Sequence, residues 1–349
     1  MTTYLPAGQV TNSPPGFLAI YYIEKLNFQV LLYSLVKIFV RLALQVFCTK
    51  TTVTGKRSLA TAGPLLLVAN HPNSFLDAII IGAQFHRPVH FLTRGDAFHK
   101  TWHKILLHLL NMIPVYRLTE GKENLHLNEE AFRRSTEILA AGGIVLIFIE
   151  GICVNKQELQ PFKKGAARIS WNNRNLPQFS VLPVGIGYDS FVSFGKEVLI
   201  QAGDPLSPDR LFPFPDEARN LQYFNGLMLE ELLPRIEIPA ATRDISVLQA
   251  VLSYFAAVPG WLIHAPLYYP LKYLVRKKTT RTVFYDSVLF CSLLLLYPVY
   301  LLLLCLLSLQ LGASPSSAWL FFLLAPFAAY ITVRSSRNFS VKRAEPVVL

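Results

Sequence analysis

Short apolar blocks alternate with more polar stretches through the middle of the chain. The apolar runs at residues 65–69, 89–93, 112–116, 144–149, 181–187 and 197–201 have the length of strands. The first is uninterrupted, as suits a strand covered on both faces. Residues 74–85, 97–110, 128–141, 165–173 and 218–233 read as helices between and after them. This alternation predicts an α/β fold with a mostly parallel central sheet flanked by helices. Ligands of such sheets sit beyond the C-terminal strand ends, which is where His71, Arg117 and Glu150 fall.

The two ends of the chain follow other patterns. Residues 26–47 are apolar, but Ser34, Lys37 and Arg41 share one helical face, which predicts an amphipathic helix at a membrane surface. Packing of that helix on the domain core is the alternative. Residues 246–275 are rich in aromatics and broken by Pro259, Pro266 and Pro270, and a basic cluster, Arg276-Lys277-Lys278, follows. Residues 287–311 carry no charge and can span about 30 Å of hydrocarbon. A second apolar run, 318–333, completes a hairpin of two transmembrane helices. Basic residues on both sides of it, including Arg334, Arg337, Lys342 and Arg343, place both ends and the catalytic domain on the cytoplasmic face, as in a bacterial inner membrane. The expected organisation is a lead-in and amphipathic helix (1–48), a catalytic domain (49–240), an aromatic and basic juxtamembrane segment (241–283), two membrane helices (284–334) and a basic tail (335–349).

Composition sharpens this. Over 349 residues, 52% are hydrophobic and the net charge is +11. The first value points to membrane contact, and the second to anionic head groups and anionic substrates. No nucleic-acid motif accompanies the basic charge, so nucleic acid is not expected as a partner. Cys48, Cys153, Cys291 and Cys305 have no metal-ligand spacing, and His99 and His103 lack a third ligand, so no metal site is expected. No cleavable signal peptide is evident.

The candidate chemistry lies in Asn70-His71-Pro72-Asn73-Ser74-Phe75-Leu76-Asp77. In one continuous helix, six residues would set His71 and Asp77 about 240° apart. The two side chains meet only if His71 lies in the turn and Asp77 in the first turns of the next helix, with Asn73 or Ser74 as N-cap. His would then serve as base and Asp as its orienter. Ser74 and Cys153 are the alternative nucleophiles, but neither sits in a Gly-x-Ser-x-Gly elbow.

Three further segments follow in order: Ile113-Pro114-Val115-Tyr116-Arg117, Phe148-Ile149-Glu150-Gly151 and Val181-Leu182-Pro183-Val184-Gly185. Together the four resemble the blocks of the glycerolipid acyltransferase family, which includes 1-acylglycerol-3-phosphate and glycerol-3-phosphate acyltransferases. The resemblance covers roughly residues 50–200. It implies His71 and Asp77 as the catalytic pair, with Arg117, Glu150 and Gly151 binding the acceptor phosphate and shaping its pocket. Pro183 would shape the acyl channel. It also implies acyl-CoA or acyl carrier protein as co-substrate, glycerol-3-phosphate or lysophosphatidate as acceptor, the lipid bilayer as partner, and no resident cofactor.

There are two departures from the family pattern. Five residues separate His71 from Asp77 where four are usual, and Ile149, Ile152 and Cys153 replace the proline, threonine and arginine of the third block. Lys163 and Lys164, before a helix N-terminus, are candidates to replace the lost cation. The lost arginine also leaves open a lyso-aminolipid or other non-phosphate acceptor. A catalytically silent membrane scaffold is the reading from another class.

Overall fold

The structure, a computed structural model, describes residues 15–98, 100–116, 127–238 and 246–336. Its seven strands are β1 (Cys48–Thr54), β2 (Leu65–Ala69), β3 (Val89–Arg94), β4 (Met112–Val115), β5 (Ile144–Phe148), β6 (Ser180–Tyr188) and β7 (Lys196–Ala202). The helices are α1 (Pro15–Phe47), α2 (Phe75–Gln84), α3 (Thr101–Leu109), α4 (Leu127–Ala140), α5 (Gly165–Asn173), α6 (Pro208–Leu211), α7 (Glu217–Leu232), α8 (Val247–Lys278), α9 (Tyr285–Gln310) and α10 (Pro315–Ser336).

The strands form one sheet in the order β1-β7-β6-β2-β5-β3-β4. Neighbours are parallel except β6 and β7. The all-apolar β2 lies at the centre, between β5 and β6, with every residue buried. Its side chains alternate: Leu65, Leu67 and Ala69 enter one core with α2, while Leu66 and Val68 enter another with α5 and α7. The sheet is thus covered on both faces, which fixes its register.

β1 went unread in the sequence because Cys-Thr-Lys-Thr-Thr-Val-Thr has no apolar run. It is an edge strand, stabilised by its pairing with β7 and by Thr-rich β propensity, with Lys50 exposed.

The polar face of α1 has an unexpected partner. Arg41 Nε donates to the Ala83 carbonyl at 2.7 Å and Nη2 to that of Phe85 at 3.2 Å; Lys37 Nζ reaches the His86 carbonyl at 3.4 Å. These oxygens lie at and just beyond the C-terminus of α2, where free carbonyls and the helix dipole favour a cation. Val40, Leu44 and Phe47 are buried in the core, whereas Leu31, Leu35, Ile38, Phe39 and Leu42 are exposed. Over residues 31–47 the helix is therefore partly packed on the domain and partly uncovered.

The C-terminal region corrects one expectation. Residues 247–278 are a single helix rather than a proline-broken segment, so among the described residues three helices, α8, α9 and α10, are long and apolar enough to cross a membrane, where two were expected. Pro259, Pro266 and Pro270 are seven and four residues apart, which sets all three on one side of α8, within about 40°. Each removes a backbone donor, but neighbouring helices can satisfy the freed carbonyls. Tyr300 Oη donates to the Ile263 carbonyl at 2.6 Å, a bond that ties α9 to α8. Gly260 lets α10 approach closely, since a Cβ there would lie 2.5 Å from the Ala328 carbonyl oxygen. Leu295, Leu303, Trp319 and Leu323 are among the exposed apolar side chains of α9 and α10, which suits lipid better than water.

Both ends of the α9–α10 hairpin meet the same domain. The first turn of α9 touches the turn after β2, and Arg334 near the end of α10 donates to the Gln45 carbonyl at 3.0 Å.

The contact at the end of α2 predicts that Arg41→Met lowers stability by about 1–3 kcal/mol. Lys37→Met, which removes a long and exposed bond, changes it by less than about 0.5 kcal/mol. Thermal unfolding of the two variants in detergent checks the contrast.

Candidate active site

β2 ends at Ala69, and the turn that follows carries His71 out of the sheet. Asn70 holds this exit: its Nδ2 donates to the Ile186 carbonyl at 2.9 Å and its Oδ1 accepts the Ile186 N–H at 2.8 Å. The turn is locally strained. Ser74 has φ 56° and ψ −147°, a region that favours glycine. Its N–H is satisfied by Cys153 Sγ at 2.9 Å, and Asn155 Nδ2 donates to the Pro72 carbonyl at 2.9 Å. Ser74 takes the N-cap position without a side-chain bond. Asp77, the third residue of α2, reaches back instead and accepts the Asn73 N–H at 2.8 Å.

That geometry brings His71 and Asp77 together. His71 Nδ1 lies 2.9 Å from Asp77 Oδ2, and Tyr188 Oη donates to Asp77 Oδ1 at 2.6 Å. Asp77 has no exposed side-chain surface, while the imidazole keeps 19%. With Nδ1–H given to the carboxylate, Nε2 carries the lone pair and can act as base. The ring stacks on Phe148 at 3.8 Å between centroids, which fixes its plane. Burial raises the Tyr188 phenol well above its ordinary range, and the Asp77 charge adds to this. Tyr188 is therefore a fixed donor.

Glu150 is buried beside this pair. Burial pushes its carboxyl up to about 7, offset in part by the backbone N–H groups of His71 and Gln160. Cys153 is pushed up to about 12, first by burial and then by the Asp77 charge. A thiol in that state is a poor nucleophile, which favours the imidazole as the reactive group.

The other expected residues are placed unevenly. Gly151 follows Glu150 with φ 63°, and a Cβ there would lie 3.0 Å from the Lys163 side chain. The Lys163 N–H bonds the Ile149 carbonyl at 2.8 Å, which holds this loop against the end of β5. Lys163 and Lys164 are exposed just before α5. Pro183 is buried in mid-strand, where the alternation of β6 sets it on the face opposite Tyr188, against Gly203 and Arg235. Arg117, His99 and the tail beyond residue 336 lie outside the described residues.

Residues 50–187 match the family model described as Acyltransferase. Those residues, about two fifths of the chain, are thus similar to acyltransferase domains. The matched region runs from β1 to the penultimate residue of β6. Among solved structures, the 1-acyl-sn-glycerophosphate (LPA) acyltransferase, PlsC, from Thermotoga maritima is similar at 18% identity and a TM-score of 0.44, over 63% of this chain and 88% of that one. No curated protein sequence matches the chain.

Sequence reasoning missed Tyr188, which lies one residue past the expected end of its strand. An aromatic with a polar tip closing an apolar strand was the available signal. Tyr188→Phe strands one buried oxygen of Asp77, so stability falls by about 1–3 kcal/mol. Turnover falls about tenfold, while substrate KM changes little; steady-state kinetics and thermal unfolding check both.

Glu150 gives a pH prediction. Its folded pKa is raised, so ionisation opposes folding: the penalty is absent below about 4.5 and complete above about 7. Glu150→Gln removes that penalty. The variant should gain on the wild type by up to about 3 kcal/mol as pH rises through this window, read as the difference in unfolding midpoints. A difference that stays flat with pH contradicts the assignment.

Proposed function

We propose that the protein is a membrane-bound O-acyltransferase of glycerolipid synthesis. It moves a fatty acyl chain from a thioester, acyl-CoA or acyl carrier protein, to a hydroxyl of glycerol-3-phosphate or 1-acyl-glycerol-3-phosphate. The observation that carries this reading is the His71–Asp77 pair, 2.9 Å apart, at the end of β2 within the region similar to acyltransferase domains.

In this mechanism Nε2 of His71 takes the acceptor's hydroxyl proton as that oxygen attacks the thioester carbonyl. Asp77 stabilises the imidazolium that forms. The tetrahedral intermediate collapses, the C–S bond breaks, and the leaving thiolate takes the proton from His71. No acyl-enzyme is needed.

Lys163 and Lys164 would supply positive charge for the acceptor phosphate near Gly151, with Arg117 as the family's further contribution. The buried carboxyl of Glu150 would hold the loop rather than touch phosphate. The apolar face of α1 and the three C-terminal helices would keep the site at the lipid surface, with the domain on the cytoplasmic side. A second reading, a non-phosphate acceptor such as a lyso-aminolipid, is favoured by Cys153 standing where the family has an arginine.

Release of free thiol from acyl-CoA and acyl carrier protein, measured against glycerol-3-phosphate, lysophosphatidate and lyso-aminolipids, separates these readings. Phosphate acceptors should support turnover, and His71→Ala should lower it by at least about 10³-fold. Turnover with lyso-aminolipids alone moves the assignment to the second reading. Undiminished turnover in His71→Ala removes the base.

A further inference from the structure

Asn73 joins the catalytic turn to a helix that lies more than two hundred residues away. Its N–H holds Asp77 Oδ2 at 2.8 Å, while its Nδ2 donates to Asp286 Oδ2 at 2.8 Å. Its carbonyl accepts from Ser287 Oγ at 3.2 Å, and the same hydroxyl accepts the Leu76 N–H at 3.0 Å. Asp286 and Ser287 form the first turn of α9, one of the three apolar helices. Lys196, at the start of β7, pairs with the same Asp286 oxygen. Asn73, Asp286, Ser287 and Lys196 are all buried, each with at most 1% of its surface exposed.

Stability alone does not account for this cluster. Desolvating a lysine and an aspartate offsets much of their attraction, and apolar replacements of such pairs are often as stable or more so. Two further acceptors, Asn73 Oδ1 and Asp286 Oδ1, are buried without a hydrogen-bond partner among the described residues, which adds to the cost. Two of these bonds, to Asp286 Oδ2 and from Ser287 Oγ, instead converge on Asn73, the residue whose amide anchors Asp77. The same two atoms of α9 that seat the helix therefore set the position of that amide.

We propose that Asp286 is a positioning residue for acyl transfer: through Asn73 it fixes the amide that holds Asp77, so the His71–Asp77 pair is aligned only when the N-terminus of α9 is seated on the catalytic turn. Seating of a membrane helix and competence for catalysis are then one event. The active arrangement forms only in chains whose C-terminal helices are in place. This rests on the acyl-transfer reading above and adds a residue to it.

The test uses the full chain in lipid vesicles, with thiol release and thermal unfolding as readouts. Lys196→Met with Asp286→Leu removes the ion pair without leaving a lone charge. It should lower kcat by about tenfold or more with both KM values within about twofold. Lys196→Met with Asp286→Asn restores an acceptor for Asn73 and should recover most of that loss. Adding Asn73→Ala to the leucine variant should cause no further loss, because residues acting through one link are not additive. Ser287→Ala, which removes only one hydroxyl, should lower kcat about threefold and keeps the link testable if the leucine variant does not fold.

Wild-type kcat in the leucine variant or in Ser287→Ala overturns the proposal. So does equal loss in the leucine and asparagine variants, or losses that multiply when Asn73→Ala is added. If the wild type consumes no thioester, or His71→Ala matches it, the acyl-transfer reading fails and takes the proposal with it.

Discussion

A carboxylate without exposed surface needs a donor for each of its oxygens, and the architecture around Asp77 supplies them. His71, the Asn73 amide and Tyr188 come from the turn after β2 and from the end of β6. Losing one of these leaves the buried charge less well satisfied, at a cost of about 1–3 kcal/mol. The need to complete this shell explains features that look unrelated: the strained Ser74, the Asn70 clamp on Ile186 and the tyrosine that closes β6. Each holds a donor where Asp77 can use it. The result is an imidazole with one nitrogen committed and the other open.

The sheet makes this shell rigid. β2 is central, apolar on both faces and paired on both sides, so its C-terminal end is fixed by packing that owes nothing to the site. His71 and Glu150 leave adjacent parallel strands in register, Ala69 beside Phe148, which is why the stacked ring and the buried carboxyl lie together. The apolar helices attach to this same end of the sheet through Asp286 and Ser287. The candidate site and the apolar helices thus share one edge of the molecule.

Much of this was readable in the sequence where the signal was local. The uninterrupted run of β2 announced a central strand, and the need for His71 to sit in a turn with Asp77 in the following helix came from helical geometry alone. β1 was hidden because an edge strand facing solvent can be polar. α8 was hidden because three prolines read as breaks, when their alignment on one face leaves the helix continuous. Tyr188 and Asp286 were hidden for another reason. They meet Asp77 and Asn73 across 111 and 213 residues, and no periodicity records such a contact. The polar face of α1 was visible as a pattern, but its partner, the end of α2, depended on tertiary packing.

The account turns on Asp77 holding one tautomer of His71, and Asp77→Asn probes this most directly. The amide keeps the shape of the side chain but removes the negative charge, so the imidazolium formed during transfer loses its stabilising partner. Single-turnover thiol release by the full chain, with saturating acceptor, should fall by about 10³–10⁴-fold while substrate binding is retained. A rate within about threefold of the wild type would show that the imidazole needs no carboxylate partner and would contradict the account.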